Sequence, residues 1–112
     1  MPELFALPSD GEPLGPATVL DALEEAFAAG ASTLAVPCKR LDPALFDLRS
    51  GVAGEIVQKF VTYRIRLVIL GPLPPSAQKS AAFAAFVRES NRGSQVWFVD
   101  SMDGLRDRLA EP

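Results

Sequence analysis

The segment FDLRSGVAGEIVQKFVTYRIRLVILGP, residues 46–72, places the strongest constraint on the fold. It begins with a turn rich in Ser and Gly, continues with apolar residues at helical spacing, and ends in the apolar run RLVIL. A continuous apolar run with β-branched residues suits a strand that is covered on both faces of a parallel sheet. A helix that leads directly into such a strand is part of a βαβ unit.

The same alternation extends over the rest of the chain, where Gly and Pro separate the apolar runs. Strands are predicted at residues 3–7, 33–36, 66–70 and 95–99. Helices are predicted at residues 19–29, 51–63 and 76–90, followed by a short helix after Ser101. This pattern predicts the α/β class, with a small, mainly parallel four-stranded sheet flanked by about four helices. We favour the strand order 2-1-3-4, because a reversal of winding would let helices cover both faces.

Apolar residues that follow the helical and strand periodicities are predicted to form the core around this sheet. They are Phe27, Ile56, Phe60, Val68, Ile69, Phe86, Val96 and Phe98. Thr18 is predicted to cap the first helix, and Gly30 is predicted to follow its C-terminus.

Length and charge limit the kind of protein this can be. The 112 residues are predicted to form one domain, residues 1–112. The net charge is -3, whereas nucleic-acid-binding proteins usually carry an excess of positive charge, so we expect no nucleic-acid partner. The N-terminal residues lack the basic flank of a signal peptide, and no apolar run approaches the roughly 20 residues that span a bilayer. We expect a cytoplasmic monomer or homodimer that does not contact membranes.

The chain has no histidine and one cysteine, Cys38. The commonest general base and metal ligand are therefore missing, so we expect no metal and no cofactor. Lys39 and Arg40 could lower the pKa of the Cys38 thiol. Without a histidine to act as base, we interpret Cys38 as a small residue at a strand end. Catalysis is less expected than binding, and it would have to use carboxylates, Lys, Tyr or a bound cofactor.

Long motifs cover most of the chain. They are DALEEAF at residues 21–27, LDPALFDLRSGVAGEIVQKFVTYRIRLVILG at residues 41–71 and FVRESNRGSQVWFV at residues 86–99. On these motifs the chain resembles the bacterial family known as domain of unknown function 4180. That resemblance implies a fold and no settled activity.

A weaker resemblance is to STAS-like domains, the anti-sigma factor antagonist fold. In such domains a strand leads to a loop whose serine, at the start of the next helix, is phosphorylated in a partner-switching cycle. Residues 33–36 would be that strand, and Ser50 would occupy the comparable helix start. Where such domains usually carry Asp-Ser-Ser/Thr-Gly, this chain has DLRSG after an added loop. This resemblance implies a regulatory, partner-binding role.

Arg49, Ser50 and Gly51 are the first candidate site. Unpaired N–H groups and a partial positive charge at a helix start attract phosphate or carboxylate, and Arg49 would assist. Ser50 is therefore a candidate anion-binding or regulatory position. In the alternative interpretation, Ser50 only caps the helix, while Gly51 and Gly54 permit close packing against the sheet.

Two further groups of residues are candidates for contacting a protein partner through basic, aromatic or Arg-fork interactions. They are Lys59, Tyr63 and Arg64 at a helix-to-strand junction, and Glu89, Asn91 and Arg92 at the end of a helix. In the alternative interpretation both are ordinary helix ends, with Asn91 or Gly93 in the left-handed conformation.

The residues favour a non-catalytic regulatory or protein-interaction domain, with an unknown protein partner bound around the helix start at Ser50. The alternative is a small enzyme or ligand-binding protein that uses carboxylates and Arg in a pocket. Such a pocket would have to gather Glu55, Glu89, Tyr63 or Lys59, which form no known spacing motif.

Overall fold

A computed structural model describes residues 4–111 of the chain. Its four strands form one sheet in the order β1-β2-β3-β4, and every neighbouring pair is parallel. The strands are β1 (Leu4–Ala6), β2 (Thr33–Pro37), β3 (Arg66–Leu70) and β4 (Val96–Val99). The predicted α/β class and four-stranded parallel sheet are confirmed. Residue 3, the first of the predicted strand 3–7, lies outside the described residues.

Within the described part of the chain, five α-helices accompany the sheet, one more than the sequence indicated. They are α1 (Val19–Ala28), α2 (Val52–Tyr63), α3 (Pro75–Gln78), α4 (Ala81–Arg92) and α5 (Met102–Ala110). The predicted helix 76–90 is divided because Ser80 has extended backbone and its hydroxyl accepts a hydrogen bond from the N–H of Phe83 at 3.0 Å. Ser80 is thus the N-cap of a new helix. Among residues 4–111, no helix is both long and apolar enough to cross a membrane.

The favoured strand order 2-1-3-4 is wrong. In the order 1-2-3-4 each connection leads to the next strand on the same side of the previous one. Because such crossovers are right-handed, their helices all lie on the same face of the sheet. The main core accordingly joins that face to α1, α2 and α4. The opposite face is covered by the helix after the last strand, because Leu105 of α5 packs with Ala35, Val68 and Trp97. Coverage of both faces therefore needs no reversal of winding.

The predicted core is confirmed at its centre. Ile56, Phe60, Val68, Ile69 and Val96 are buried. The other three predicted core residues are Phe86, Phe98 and Phe27.

Phe86 and Phe98 are partly buried at the margin of the core, with ring centroids 5.5 and 5.9 Å from that of Phe83. Phe27 is 68% exposed, which contradicts the prediction. Leu23 and Ala26 already fill the inward stripe of α1, and Phe27 is rotated by about 100° from Ala26.

The ends of α1 and α5 largely follow the sequence signals. Gly30 has a φ of 75° directly after the C-cap of α1, as predicted. Ser101 accepts a hydrogen bond from the N–H of Gly104 at 3.1 Å and caps α5. Thr18 is the N-cap residue of α1 by position, but its hydroxyl accepts a hydrogen bond from the N–H of Gly15 at 3.0 Å instead of one from the helix.

Candidate functional site

The connections that follow β2 and β3 form a groove at the carboxyl edge of the sheet. It consists of two adjoining depressions of about 290 and 460 Å³ that share Pro43, Phe46 and Ser76. We call it the carboxyl-edge groove. Its other lining residues are Cys38, Lys39, Leu41, Asp47, Leu48, Arg49, Pro72, Pro74, Ser80 and Ala82. Open α/β sheets commonly bind ligands outside the carboxyl ends of their strands, at a reversal of strand order, and this sheet has no such reversal.

One wall of the groove is a series of short 3₁₀ turns between β2 and α2. Asp42 and Asp47 each begin one of these turns, and their Oδ1 atoms accept hydrogen bonds from the N–H groups of Ala44 at 2.9 Å and Arg49 at 3.1 Å. Asp side chains commonly stabilise turns in this way. Buried Leu45 anchors the wall to the core. The wall therefore has a defined shape without being a regular element.

The opposite wall is the proline-rich segment after β3, in the sequence GPLPPS. Gly71 has a φ of 98°, which turns the chain away from the strand. Ala77 of the following short helix is buried against the core. Phe46 of the first wall packs against buried Phe83, with ring centroids 5.5 Å apart. The floor of the groove is thus tied to the core by aromatic packing.

The charges at the groove are few and lie at its rim. Lys39 and Arg49 are exposed, and the side chain of Arg49 is 95% accessible. Its Nε atom lies 3.7 Å from Oδ1 of Asp47, an ion pair that solvent screens strongly. Burial raises the pKa of the Cys38 thiol, contrary to the suggestion that neighbouring cations lower it. The thiol therefore stays protonated near neutral pH, so the groove is apolar inside with a mainly cationic rim.

Ser50 lies at the end of the first wall, and the prediction that it is the N-cap of the helix is wrong by one residue. The N-cap of α2 is Gly51, with a φ of 80°, and the helix begins at Val52. The Ser50 hydroxyl accepts a hydrogen bond from the N–H of Val52 at 3.1 Å. Its single hydrogen is shared between the backbone oxygens of Ala44 and Asp47, which lie 2.8 and 2.7 Å from the hydroxyl oxygen. Ser50 is therefore exposed but hydrogen-bonded, and it joins two turns to the helix.

The suggestion that Gly51 and Gly54 permit close packing is wrong. A Cβ atom at either position would meet no atom within 4 Å. Gly51 is required by its positive φ, which side chains disfavour. Gly54 has no such requirement and is exposed on α2.

Lys59, Tyr63 and Arg64 lie at the opposite edge of the sheet from the groove. They belong to the end of α2, directly before β3 begins. Arg64 is the C-cap of α2 with a φ of 58°, and its N–H is bonded to the backbone oxygens of Phe60 and Val61. This left-handed residue was not recognised from the sequence, because the position normally carries Gly or Asn. The structure does not join this group to the groove.

Glu89, Asn91 and Arg92 divide into two different roles. Glu89 and Arg92 form an exposed ion pair at 3.1 Å. Asn91 is half-buried, and its Oδ1 accepts a hydrogen bond from the N–H of Phe98 at 2.7 Å. The helix continues through Arg92, and Gly93 has a φ of -95°, so the expected left-handed residue at this helix end is absent. Asn91 is therefore hydrogen-bonded within the fold.

The carboxyl-edge groove itself was missed from the sequence, although Arg49 at its rim was among the predicted site residues. The segments after residues 37 and 70 meet because β2 and β3 are adjacent and parallel and end at the same edge of the sheet. The favoured order 2-1-3-4 separates these two strands, so it does not bring the two connections together.

The residues proposed for an enzyme pocket are dispersed. Glu89 borders a depression of about 340 Å³ that also includes Val57 and Phe86 but none of Glu55, Lys59 and Tyr63. Within residues 4–111, no three His, Cys, Asp or Glu side chains are arranged to hold a metal ion.

Together, the fold and the groove define a small α/β domain with a parallel sheet and a surface groove at its carboxyl edge. The chain belongs to the family described as Domain of unknown function (DUF4180), whose family model matches residues 3–109. The family resemblance is therefore confirmed. Searches of curated proteins and of solved structures gave no match, and these comparisons give no support to the weaker resemblance to STAS-like domains.

Proposed function

We propose that this protein is a non-catalytic protein-interaction domain that binds an extended segment of a partner in the carboxyl-edge groove. The observation that carries the proposal is the groove itself, with an apolar floor around Phe46 and cations at its rim. An apolar depression with a few polar groups at its margin is the usual form of a binding site. The two depressions side by side suit consecutive side chains of an extended chain.

The rim favours an acidic segment. Lys39 and Arg49 contribute two positive charges and Asp47 one negative charge, in a protein whose net charge is -3. Charges at the margin of an interface act mainly on partner selection and association rate. Apolar side chains of the segment would occupy the floor, and its carboxylates would lie near Arg49.

Ser50 supplies a means of regulation within the same proposal. A phosphate on its hydroxyl would remove the donated hydrogen bond and place negative charge next to Arg49. That charge would compete with an acidic segment for the rim. Phosphorylation would thus weaken partner binding.

A photo-crosslinking residue in place of Ser76 tests the proposal in extract from the native cells. Ser76 is exposed and lines both depressions, whereas Gln58 is exposed on α2 and serves as the matched control position. We expect one protein to be cross-linked from position 76 and not from position 58. Arg49→Glu should abolish this product, while Arg106→Glu on α5 should not. Identical products from both positions would contradict the proposal.

A small-ligand-binding protein is the second candidate, because the inner depression of about 290 Å³ is close to the lower limit of ordinary ligand pockets. Native mass spectrometry of protein purified from its own host distinguishes the two. A small adduct that blocks alkylation of Cys38 would favour the ligand, since Cys38 lines this depression.

A further inference from the structure

The outer face of α1 carries an apolar stripe that the core does not use. Leu20 is 42% and Phe27 is 68% exposed, although Val19 and Leu23 on the inward side are completely buried. Leu20, Glu24 and Phe27 are spaced by four and three residues, so they lie on one face of the helix. The stripe therefore adjoins the buried face of α1 but stays open to solvent.

This surface has a marked charge. All 11 Lys and Arg residues of the chain occur at position 39 or later, so α1 and the loop before it have no cation of their own. Asp21, Glu24 and Glu25 are exposed on α1. None of them takes part in the ion pairs found among the described residues. The stripe thus lies on a helix whose own charged residues are all acidic.

A depression of about 190 Å³ lies on the flank of α1. Glu12, Asp21 and Glu25 line it together with the aliphatic side chain of Leu14. Arg40 borders it too, but its guanidinium is bonded to the backbone oxygens of Glu12 at 2.8 Å and Pro8 at 2.9 Å. Those hydrogen bonds leave the positive charge of Arg40 in place beside the carboxylates. Asp21 and Glu25 lie roughly 100° or more around α1 from Leu20 and Phe27, so this depression is separate from the stripe.

We propose that the outer face of α1 docks a cationic amphipathic helix of another protein. Leu20 and Phe27 are seven residues apart, the spacing at which a second helix packs along the first. Glu24 stands between them and requires a Lys or Arg on the facing helix. The surface shares no residue with the carboxyl-edge groove, so the inference does not rest on the function proposed above.

Charge also argues against a second copy of this chain and against a nucleic acid as the molecule that binds this surface. In a symmetric dimer through α1, the acidic residues of one copy would face those of the other, and like charges across an interface are unfavourable. A nucleic acid would be repelled for the same reason. A cationic helix is the occupant that satisfies both the apolar stripe and Glu24 within it.

The test uses a synthetic helical peptide of about three heptads, with Leu along its seam, one seam Lys to face Glu24, and Lys at the flanking positions. A matched peptide carries Glu in place of every Lys. Binding to the full chain is measured by fluorescence anisotropy at low and high salt. We expect the cationic peptide alone to bind, with an affinity that falls as salt rises.

Variants of the chain locate the contact. Phe27→Ala and Glu24→Lys should each weaken binding of the cationic peptide by about tenfold or more, as loss of an interface anchor does. Val61→Ala, at another exposed apolar residue, and Asp107→Lys on α5 should leave binding unchanged. A peptide with Glu only at the seam position should recover affinity for Glu24→Lys. These substitutions are at exposed positions, and circular dichroism checks that each variant is folded.

Several results would overturn the inference. One is equal binding of the cationic peptide to the parent chain, Phe27→Ala and Glu24→Lys, and another is no binding to the parent chain. A third is self-association in sedimentation experiments that Phe27→Ala abolishes, because the stripe would then be occupied by a second copy.

Discussion

The Oδ1 atom of Asn91 accepts a hydrogen bond from the backbone N–H of Phe98 at 2.7 Å. Asn91 lies on α4, and Phe98 lies on β4 at one end of the sheet order. An unpaired strand edge can pair with another chain. The Asn91 side chain therefore satisfies one backbone N–H at the free edge of β4. The backbone oxygen of Asn91 also accepts a hydrogen bond from Arg108.

Asn91→Ala should lower the free energy of unfolding by about 1–3 kcal/mol, because it leaves a part-buried N–H without a partner. Urea unfolding measures this change. Arg92→Ala, at the next residue, removes an exposed ion pair and should cost less than about 1 kcal/mol. If the two variants were equally stable, Asn91 would not have the structural role described here.

Phe60 and Phe27 offer a matched comparison of two phenylalanines on neighbouring helices. Phe60 is fully buried and Phe27 is 68% exposed. Phe60→Ala should cost about 3–5 kcal/mol, whereas Phe27→Ala should change stability by no more than about 0.5 kcal/mol. Both values come from urea unfolding of the purified variants. A large loss in Phe27→Ala would show that its side chain packs in the core after all.

Alkylation reports the state of the thiol in the groove. Because burial raises the pKa of Cys38, its reaction with iodoacetamide should have a midpoint above pH about 8.5, the usual thiol value, and the same chain in denaturant should react at that usual value. The unfolded thiol ionises first, so its contribution to stability is present below that pH and is lost as the pH rises. In Cys38→Ala, this loss of stability at alkaline pH should be absent. A midpoint well below that of the denatured chain would contradict the assignment.

Ser50 is expected to respond to substitution as a hydrogen-bond donor as well as an acceptor. Ser50→Ala should cost about 1 kcal/mol through its lost hydrogen bonds. Ser50→Asp can still accept from Val52, but it cannot donate to the carbonyl oxygens of Ala44 and Asp47. It should therefore be less stable than the parent chain in urea melts. Unchanged stability of Ser50→Asp would show that the two carbonyl contacts contribute nothing.

The spacing of apolar residues predicts most of the helices and strands, but it does not predict the order of the strands in the sheet. Ile56 and Phe60 were correctly placed in the core, because the helical spacing and the neighbouring strand agree. Strand order depends on which face each crossover covers, and apolar spacing carries no such information. Phe27 was misplaced because its hydrophobicity was considered without the geometry of the inward stripe, which Leu23 and Ala26 complete.

The candidate site was predictable only in part. Arg49 at the groove rim and Ser50 beside it were identified from the sequence, since both precede a helix. The floor around Phe46 depends on contact between two connections far apart in the chain, and no local pattern encodes that contact. The sequence suggests a surface role for Asn91, because the spacing of residues along the chain does not reveal a side-chain hydrogen bond to a strand.

A partner segment bound in the carboxyl-edge groove would change the amide chemical shifts of the residues that line it. A titration of the isotope-labelled protein tests this binding most directly. The segment captured by cross-linking at position 76 is synthesised and titrated into the domain. We predict shifts concentrated in residues 38–50 and 72–82, with weaker binding to Arg49→Glu. Shifts concentrated instead around Lys59, Tyr63 and Arg64, at the opposite edge of the sheet, would contradict the claim.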